Sequence, residues 1–129
     1  MWIYKQSTGA LARRTWLITG TPYDVAIGTG YSGYAQGLNN PELESMPFVG
    51  PIPKGLYGIS PMYTHKADHI GERLRLTPFG HRAHGRSGFL IHGDNSTPEP
   101  SDASRGCIIL AKHLRDLIAT SADNTLSVE

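Results

Sequence analysis

Short apolar runs set apart by glycine and proline give this chain its pattern. Trp2-Ile3-Tyr4 and Thr15-Trp16-Leu17-Ile18 are β-prone and flank the turn sequence Ser7-Thr8-Gly9. That predicts strands over 2–6 and 15–19, the return strand starting as early as Leu11. A third strand is predicted over 23–27, running into Gly28-Thr29-Gly30-Tyr31-Ser32-Gly33. Residues 37–53 read as loop, because Gly50-Pro51-Ile52-Pro53 places prolines where a central strand needs amide donors. Strands are then predicted over 55–62 and 73–77. In Arg73-Leu74-Arg75-Leu76-Thr77 the strict alternation turns one face to the core and one to solvent. Residues 88–91 are apolar throughout and predict a central strand buried on both faces. Helical spacing is confined to 111–119, where Leu114, Leu117 and Ile118 fall at i, i+3 and i+4. Residues 125–128 close the chain as a predicted edge strand. The sum is a mainly β, mainly antiparallel fold with one helix toward the C-terminus, in a single domain spanning 1–129.

Composition narrows the classes. The 129 residues are 39% hydrophobic, enough for a core rather than a disordered chain. A net charge of +1, with basic residues scattered, gives no basic face for nucleic acid. No apolar run approaches the ~20 residues of a membrane span. The opening Met1-Trp2-Ile3-Tyr4-Lys5-Gln6 has neither the basic start nor the apolar stretch of a secretory signal. The single cysteine forms no internal disulfide, so the fold does not depend on an oxidising compartment.

Two motifs are weak. Gly28-Thr29-Gly30-Tyr31-Ser32-Gly33 has the spacing of a dinucleotide-binding loop, but the glycine- and proline-broken stretch that follows cannot open a helix onto a pyrophosphate. It is read as a turn. His65 and His69 stand at i, i+4 in a polar stretch with Lys66 and Asp68, which reads as solvated surface. A metal site drawn from His81, His84, His92 and Asp94 is a minor alternative, without a His-Glu-x-x-His motif to support it.

The informative stretch is Phe89-Leu90-Ile91-His92-Gly93-Asp94 with Ala103-Ser104-Arg105-Gly106-Cys107-Ile108-Ile109-Leu110. An apolar strand ends on a histidine, and after a polar loop comes the only thiol. One reading is a small buried hydrophobe and a hydrogen-bonded core histidine. The other is a nucleophile and its base. Gly106 permits close backbone approach at the thiol, and the charge of Arg105 favours the thiolate. On chemistry alone, a cysteine hydrolase or transferase and the structural reading both stand.

Ile91-His92-Gly93 with Ser104-Arg105-Gly106-Cys107-Ile108 resembles the signature of the L,D-transpeptidase catalytic domain. Gly50-Pro51-Ile52-Pro53-Lys54-Gly55-Leu56-Tyr57-Gly58-Ile59 is similar to that family's proline–glycine turn entering a core strand. With Gly85-Arg86 ahead of His92-Gly93-Asp94, the resemblance is closest to the small L,D-transpeptidase-like effectors of type VI secretion. It covers the stretch from Tyr31 to Leu110. Two features depart from the housekeeping enzymes: the loop between His92 and Ser104 is shorter, and Ile109 stands where they usually carry arginine.

The resemblance implies a β-sandwich acting on peptidoglycan as a cysteine L,D-carboxypeptidase, with D-amino acid exchange as its transpeptidase activity. Cys107 would attack and His92 would move the proton, the Gly93 carbonyl orienting the ring and Asp94 competing for that role. The amides of Gly106 and Cys107 are the candidate oxyanion donors. Ser104, Arg105, Arg86, His84 and Asp94 are the candidate contacts to the stem peptide, with loop 95–102 bordering the cleft. No cofactor or metal is implied. The partners implied are peptidoglycan stem peptides, type VI secretion components and a cognate immunity protein, with synthesis in the cytoplasm and action in a target cell's periplasm. The alternatives are a housekeeping wall cross-linker, a zinc peptidase and a non-catalytic wall-binding module.

Overall fold

The computed structural model describes residues 1–65, 70–94 and 103–129. In chain order its elements are β1 (Trp2–Tyr4), β2 (Ala10–Trp16), β3 (Pro22–Thr29), β4 (Tyr31–Ser32), β5 (Gly55–Ile59), β6 (Leu74–Phe79), β7 (Leu90–His92), β8 (Ile108–Ile109), α1 (Lys112–Thr120) and β9 (Thr125–Val128). Among the described residues the fold is mainly β with a single α-helix, as its patterning requires.

Strands pair in one hydrogen-bonded series, β3-β2-β1-β9-β5-β6-β7-β8-β4. Pairing is antiparallel except at β1–β9 and β7–β8. The strands at the two ends of this series, β3 and β4, are joined in sequence through Gly30 alone. The sheet therefore folds over until its ends meet at that residue. Glycine is required there, because a Cβ would overlap the Ile109 carbonyl. The Gly30 amide completes the corner by donating to the Gly9 carbonyl at 2.8 Å. Stretch 28–33 is thus the end of β3, a corner and β4, rather than a plain turn.

Both halves of the folded sheet enclose one core. Trp2, Tyr4 and Leu11 from one side belong to the same apolar cluster as Ile91, Ile108 and Leu110 from the other, with Tyr57, Leu126 and Val128 between. Each fully buried Leu or Ile contributes roughly 1.5–3 kcal/mol. α1 adds Leu114 and Ile118 to the cluster but leaves Leu117 44% exposed, since i+3 falls on the flank of the buried stripe in so short a helix.

Several predicted elements move. The return strand occupies Ala10–Trp16, and residues 17–21 form its turn, closed by Leu17 N–H to the Thr21 carbonyl at 2.9 Å. Strand 88–91 becomes Leu90–His92 with Leu90 half-buried, because Gly88 lies at φ +79, outside extended geometry. β9 is not an edge strand: it lies between β1 and β5. Its alternation, Leu126 and Val128 inward, suits either position, and only long-range pairing decides. Among the described residues, no helix is long and apolar enough to cross a membrane.

Candidate active site

The parallel pairing of β7 with β8 brings the two informative segments together. Ile91 pairs with Ile108 and His92 with Ile109. Cys107 stands immediately ahead of β8, two positions before Ile109, the partner of His92, so the thiol-bearing loop enters the strand beside the one that ends on His92. Cys107 sits half-buried just ahead of β8, its Sγ 3.8 Å from the Gly88 carbonyl. Ile109 is buried in β8, at 3% exposure.

His92 is 6% exposed, and its Nδ1 lies 2.8 Å from the Gly93 carbonyl oxygen. A carbonyl only accepts, so Nδ1 carries the proton and the neutral ring keeps its lone pair on Nε2. Burial holds the imidazole below its ordinary pKa; the Gly93 carbonyl opposes this, while the charges of Arg73 and Arg115 add to it. Asp94 raises the ring's pKa through charge, and its Oδ1 accepts from Tyr31 Oη at 2.8 Å. Burial pushes the Cys107 thiol up, against a backbone hydrogen bond from Leu90 and the charge of Arg86. Both shifts favour the uncharged forms, a thiol at Cys107 and a neutral imidazole at His92. Arg86, on the segment before β7, is a cation acting on the thiol.

Two buried serines hold the cysteine loop. Ser104 Oγ donates to the Cys107 carbonyl at 2.6 Å and accepts from Gly33 N–H at 2.9 Å and Gly106 N–H at 3.1 Å. One donor and two acceptor sites are the whole capacity of a hydroxyl. Ser32 Oγ donates to the Gly106 carbonyl at 3.2 Å and accepts from Ile52 N–H at 2.8 Å. Neutral bonds of this kind contribute about 1 kcal/mol each. Gly106, at φ +127, could not carry a side chain: its Cβ would lie 2.5 Å from Arg86 Nη2.

Several expected substrate contacts are otherwise engaged. Ser104 is fully buried and offers no surface to a ligand. Arg86 directs Nη1 to the Glu44 and Pro51 carbonyls and Nη2 to those of Gly50 and Arg105, at 2.6 to 3.2 Å. All four Nη hydrogens are then in use, so this guanidinium braces loops rather than presenting a free fork. The Gly106 amide donates to Ser104, which leaves the Cys107 amide as the oxyanion candidate of the two. Arg105 stacks 3.7 Å above the Tyr34 ring centroid and also donates to the Ser104 carbonyl at 3.1 Å.

Beside the thiol opens a cleft of about 390 Å³, bounded by Phe48, His84, Arg86, Phe89, Arg105, Gly106 and Cys107. His92 lies outside its described lining. His84 stands on the cleft wall with Nε2 2.7 Å from Glu44 Oε2. Residues 83–85 are all left-handed, at φ +49, +55 and +74. Alanine and histidine each carry roughly 1–2 kcal/mol of strain there.

The histidines weighed as metal ligands turn to separate partners. His81 Nε2 faces the Leu56 carbonyl at 2.9 Å, His84 faces Glu44 and His92 faces Gly93. Among the described residues no three His, Cys, Asp or Glu side chains come together to hold a metal. Lys66, Asp68, His69 and loop 95–102 lie outside the described residues.

Sequence reasoning missed Tyr31, Ser32 and Glu44. Tyr31 Oη both donates to Asp94 and accepts from Ala103 N–H at 3.2 Å, tying the histidine segment to the cysteine segment. These bonds join positions 63 and 72 residues apart, and no local pattern announces them.

Compared with known proteins, the chain matches the family model described as the Tlde1 domain over residues 27–127. A solved structure, Bd1075 of Bdellovibrio bacteriovorus, superposes with a TM-score of 0.60 at 10% sequence identity, over 100% of this chain and 47% of that one. The chain thus spans about half the length of Bd1075, and at that identity the likeness concerns the fold alone. No curated protein matches the chain.

Proposed function

The chain belongs to the Tlde1 domain family, the type VI secretion effectors of L,D-transpeptidase type that act on peptidoglycan, and from that premise we propose that it is a cysteine-dependent L,D-carboxypeptidase. Its substrate is the tetrapeptide stem, and the bond cleaved joins diaminopimelate to the terminal D-alanine. The observation that carries this reading is the β7–β8 register. It brings β8, which Cys107 immediately precedes, beside β7, which ends on His92, and the thiol lines a cleft of about 390 Å³.

In the proposed reaction His92 Nε2 takes the thiol proton as sulfur attacks the diaminopimelate carbonyl. The Cys107 amide is the candidate donor to the oxyanion, a contact typically worth about 3 kcal/mol in the transition state. Collapse forms the thioester and breaks the C–N bond, His92 returning the proton to the departing D-alanine amine. Water then adds to the thioester, its proton taken by His92, and releases the tripeptide acid and the free thiol. A D-amino acid in place of water gives exchange. Gly93 keeps the ring in the tautomer this needs, since its carbonyl engages the opposite nitrogen.

The family supports secretion and action in the periplasm of a target cell. A cognate immunity protein and type VI delivery components are the partners we propose. Mass spectrometry of muropeptides tests the reading. Wild type is expected to convert tetrapeptide stems to tripeptides with loss of D-alanine, and Cys107→Ala and His92→Ala to leave them intact. Conversion by Cys107→Ala overturns the mechanism. Loss of activity on chelation, with indifference to alkylation, points to a zinc peptidase instead.

A further inference from the structure

Three side chains in succession converge on the cleft through Glu44. Gln6, fully buried beyond β1, donates from Nε2 to Glu44 Oε1 at 3.1 Å and to the Ile52 carbonyl at 2.9 Å. Both partners only accept, so the amide nitrogen faces them and the side chain has one orientation. Glu44 Oε2 in turn lies 2.7 Å from His84 Nε2. Burial works against the charge on Glu44, but the hydrogen bonds from His84 and Gln6 outweigh it and hold the carboxyl below its usual range. A carboxylate there requires the proton on His84 Nε2. The other ring nitrogen, Nδ1, makes no further hydrogen bond among the described residues, and the ring forms part of the cleft wall.

The backbone adds a second observation. His84 is held at φ +55 and ψ +30 between two other left-handed residues, a conformation that glycine adopts without cost. Backbone strain of this kind persists where surrounding structure enforces it, and it clusters at ligand-binding positions. Here Gly85 N–H to the Arg82 carbonyl at 2.8 Å and Arg86 N–H to the Ala83 carbonyl at 3.0 Å close the turn, and Glu44 holds the His84 ring.

The charge balance points to the ligand. Among the described residues, the charged groups facing His84 are Glu44 from the loop after β4, Arg86 from its own segment and Arg105 across the cleft, with Lys54 acting on Glu44. The only acid among them is already bound to His84 and Gln6. Arg86 contributes charge, its Nη donors being held by carbonyls. A cleft with this balance favours an anionic group, and His84 Nδ1 is the atom placed to meet it.

We propose that Glu44 is a positioning residue: fixed by Gln6, it holds the Nε2–H of a His84 ring that carries protons on both nitrogens when substrate is bound, so that Nδ1–H meets the side-chain carboxylate of the third stem residue. This rests on the carboxypeptidase reading, in which that residue carries the attacked carbonyl and its side chain lies in the cleft beside Cys107. Glu44 and His84 then set substrate preference and take no part in moving the proton.

Two synthetic tetrapeptides test this, one with the side-chain carboxylate of the third residue free and one with it amidated. Wild type is expected to favour the acid in kcat/KM for D-alanine release. Glu44→Gln, and His84→Asn, which tolerates the left-handed backbone, are each expected to lower that preference about tenfold, as loss of one charge-assisted hydrogen bond entails. Structural damage alone lowers both rates equally and leaves the preference intact, and that result overturns the assignment. Wild-type release without preference for the acid overturns the assignment alone. No release from either peptide by wild type overturns the carboxypeptidase reading and the assignment with it.

Discussion

Ser104 Oγ donates to the Cys107 carbonyl at 2.6 Å from a position with no solvent exposure. A serine three residues before the thiol is therefore the anchor of the loop that carries it. Its two other bonds, from the amides of Gly33 and Gly106, set where that loop sits against the β4 turn.

Ser104→Ala strands two amide donors and a carbonyl in a buried site. Leaving such groups unpaired costs about 1–3 kcal/mol. The expected result is a melting temperature lower by several degrees with weaker D-alanine release. An unchanged melting temperature with only a raised KM would instead make Ser104 a substrate contact.

The protonation states set the pH behaviour. Burial pushes the Cys107 thiol up, so the iodoacetamide alkylation rate is expected to keep climbing past the ordinary thiol value of about 8.5. His92, held low by burial, stays neutral and able to accept a proton as pH falls past its ordinary value of about 6.5. The acid limb of kcat/KM is accordingly expected below that value. Alkylation already at its plateau near neutral pH would mean a preformed thiolate–imidazolium pair instead.

Tyr31→Phe removes one oxygen that joins Asp94 to Ala103. Small displacements of reacting groups are costly in rate, so kcat is expected to fall about tenfold with KM nearly constant. A steady-state comparison checks this, and an unaltered kcat would show that the segments align without the phenol.

Arg86→Lys keeps the charge and loses the fork. One ammonium cannot reach the carbonyls of Glu44, Gly50, Pro51 and Arg105 together. Stability is expected to fall by about 1.5–3 kcal/mol, read from the midpoint of urea unfolding. Full stability in the lysine variant would remove Arg86 as the brace of these loops.

The local sequence determined the mainly β elements with one helix and singled out the candidate pair, Cys107 and His92. Period-two alternation in Leu74 and Leu76, the apolar run into His92 and the i, i+4 spacing of Leu114 and Ile118 are short-range signals, and each places a side chain on a face without reference to distant residues. The only thiol, between Gly106 and an isoleucine pair, stood out for the same reason. What the tertiary structure alone decided was what each polar group faces. β9 became central through partners 67 to 124 residues away, and Arg86, 21 residues before Cys107, supplies a charge acting on the thiol. Ser104 and Arg86, read from sequence as candidates for the ligand, were claimed by backbone groups, and the Gly106 amide by the Ser104 hydroxyl. The reason is physical: apolar burial follows from a residue's own period, whereas a hydrogen bond needs a particular partner, and the partners here came from other turns of a sheet folded over at Gly30.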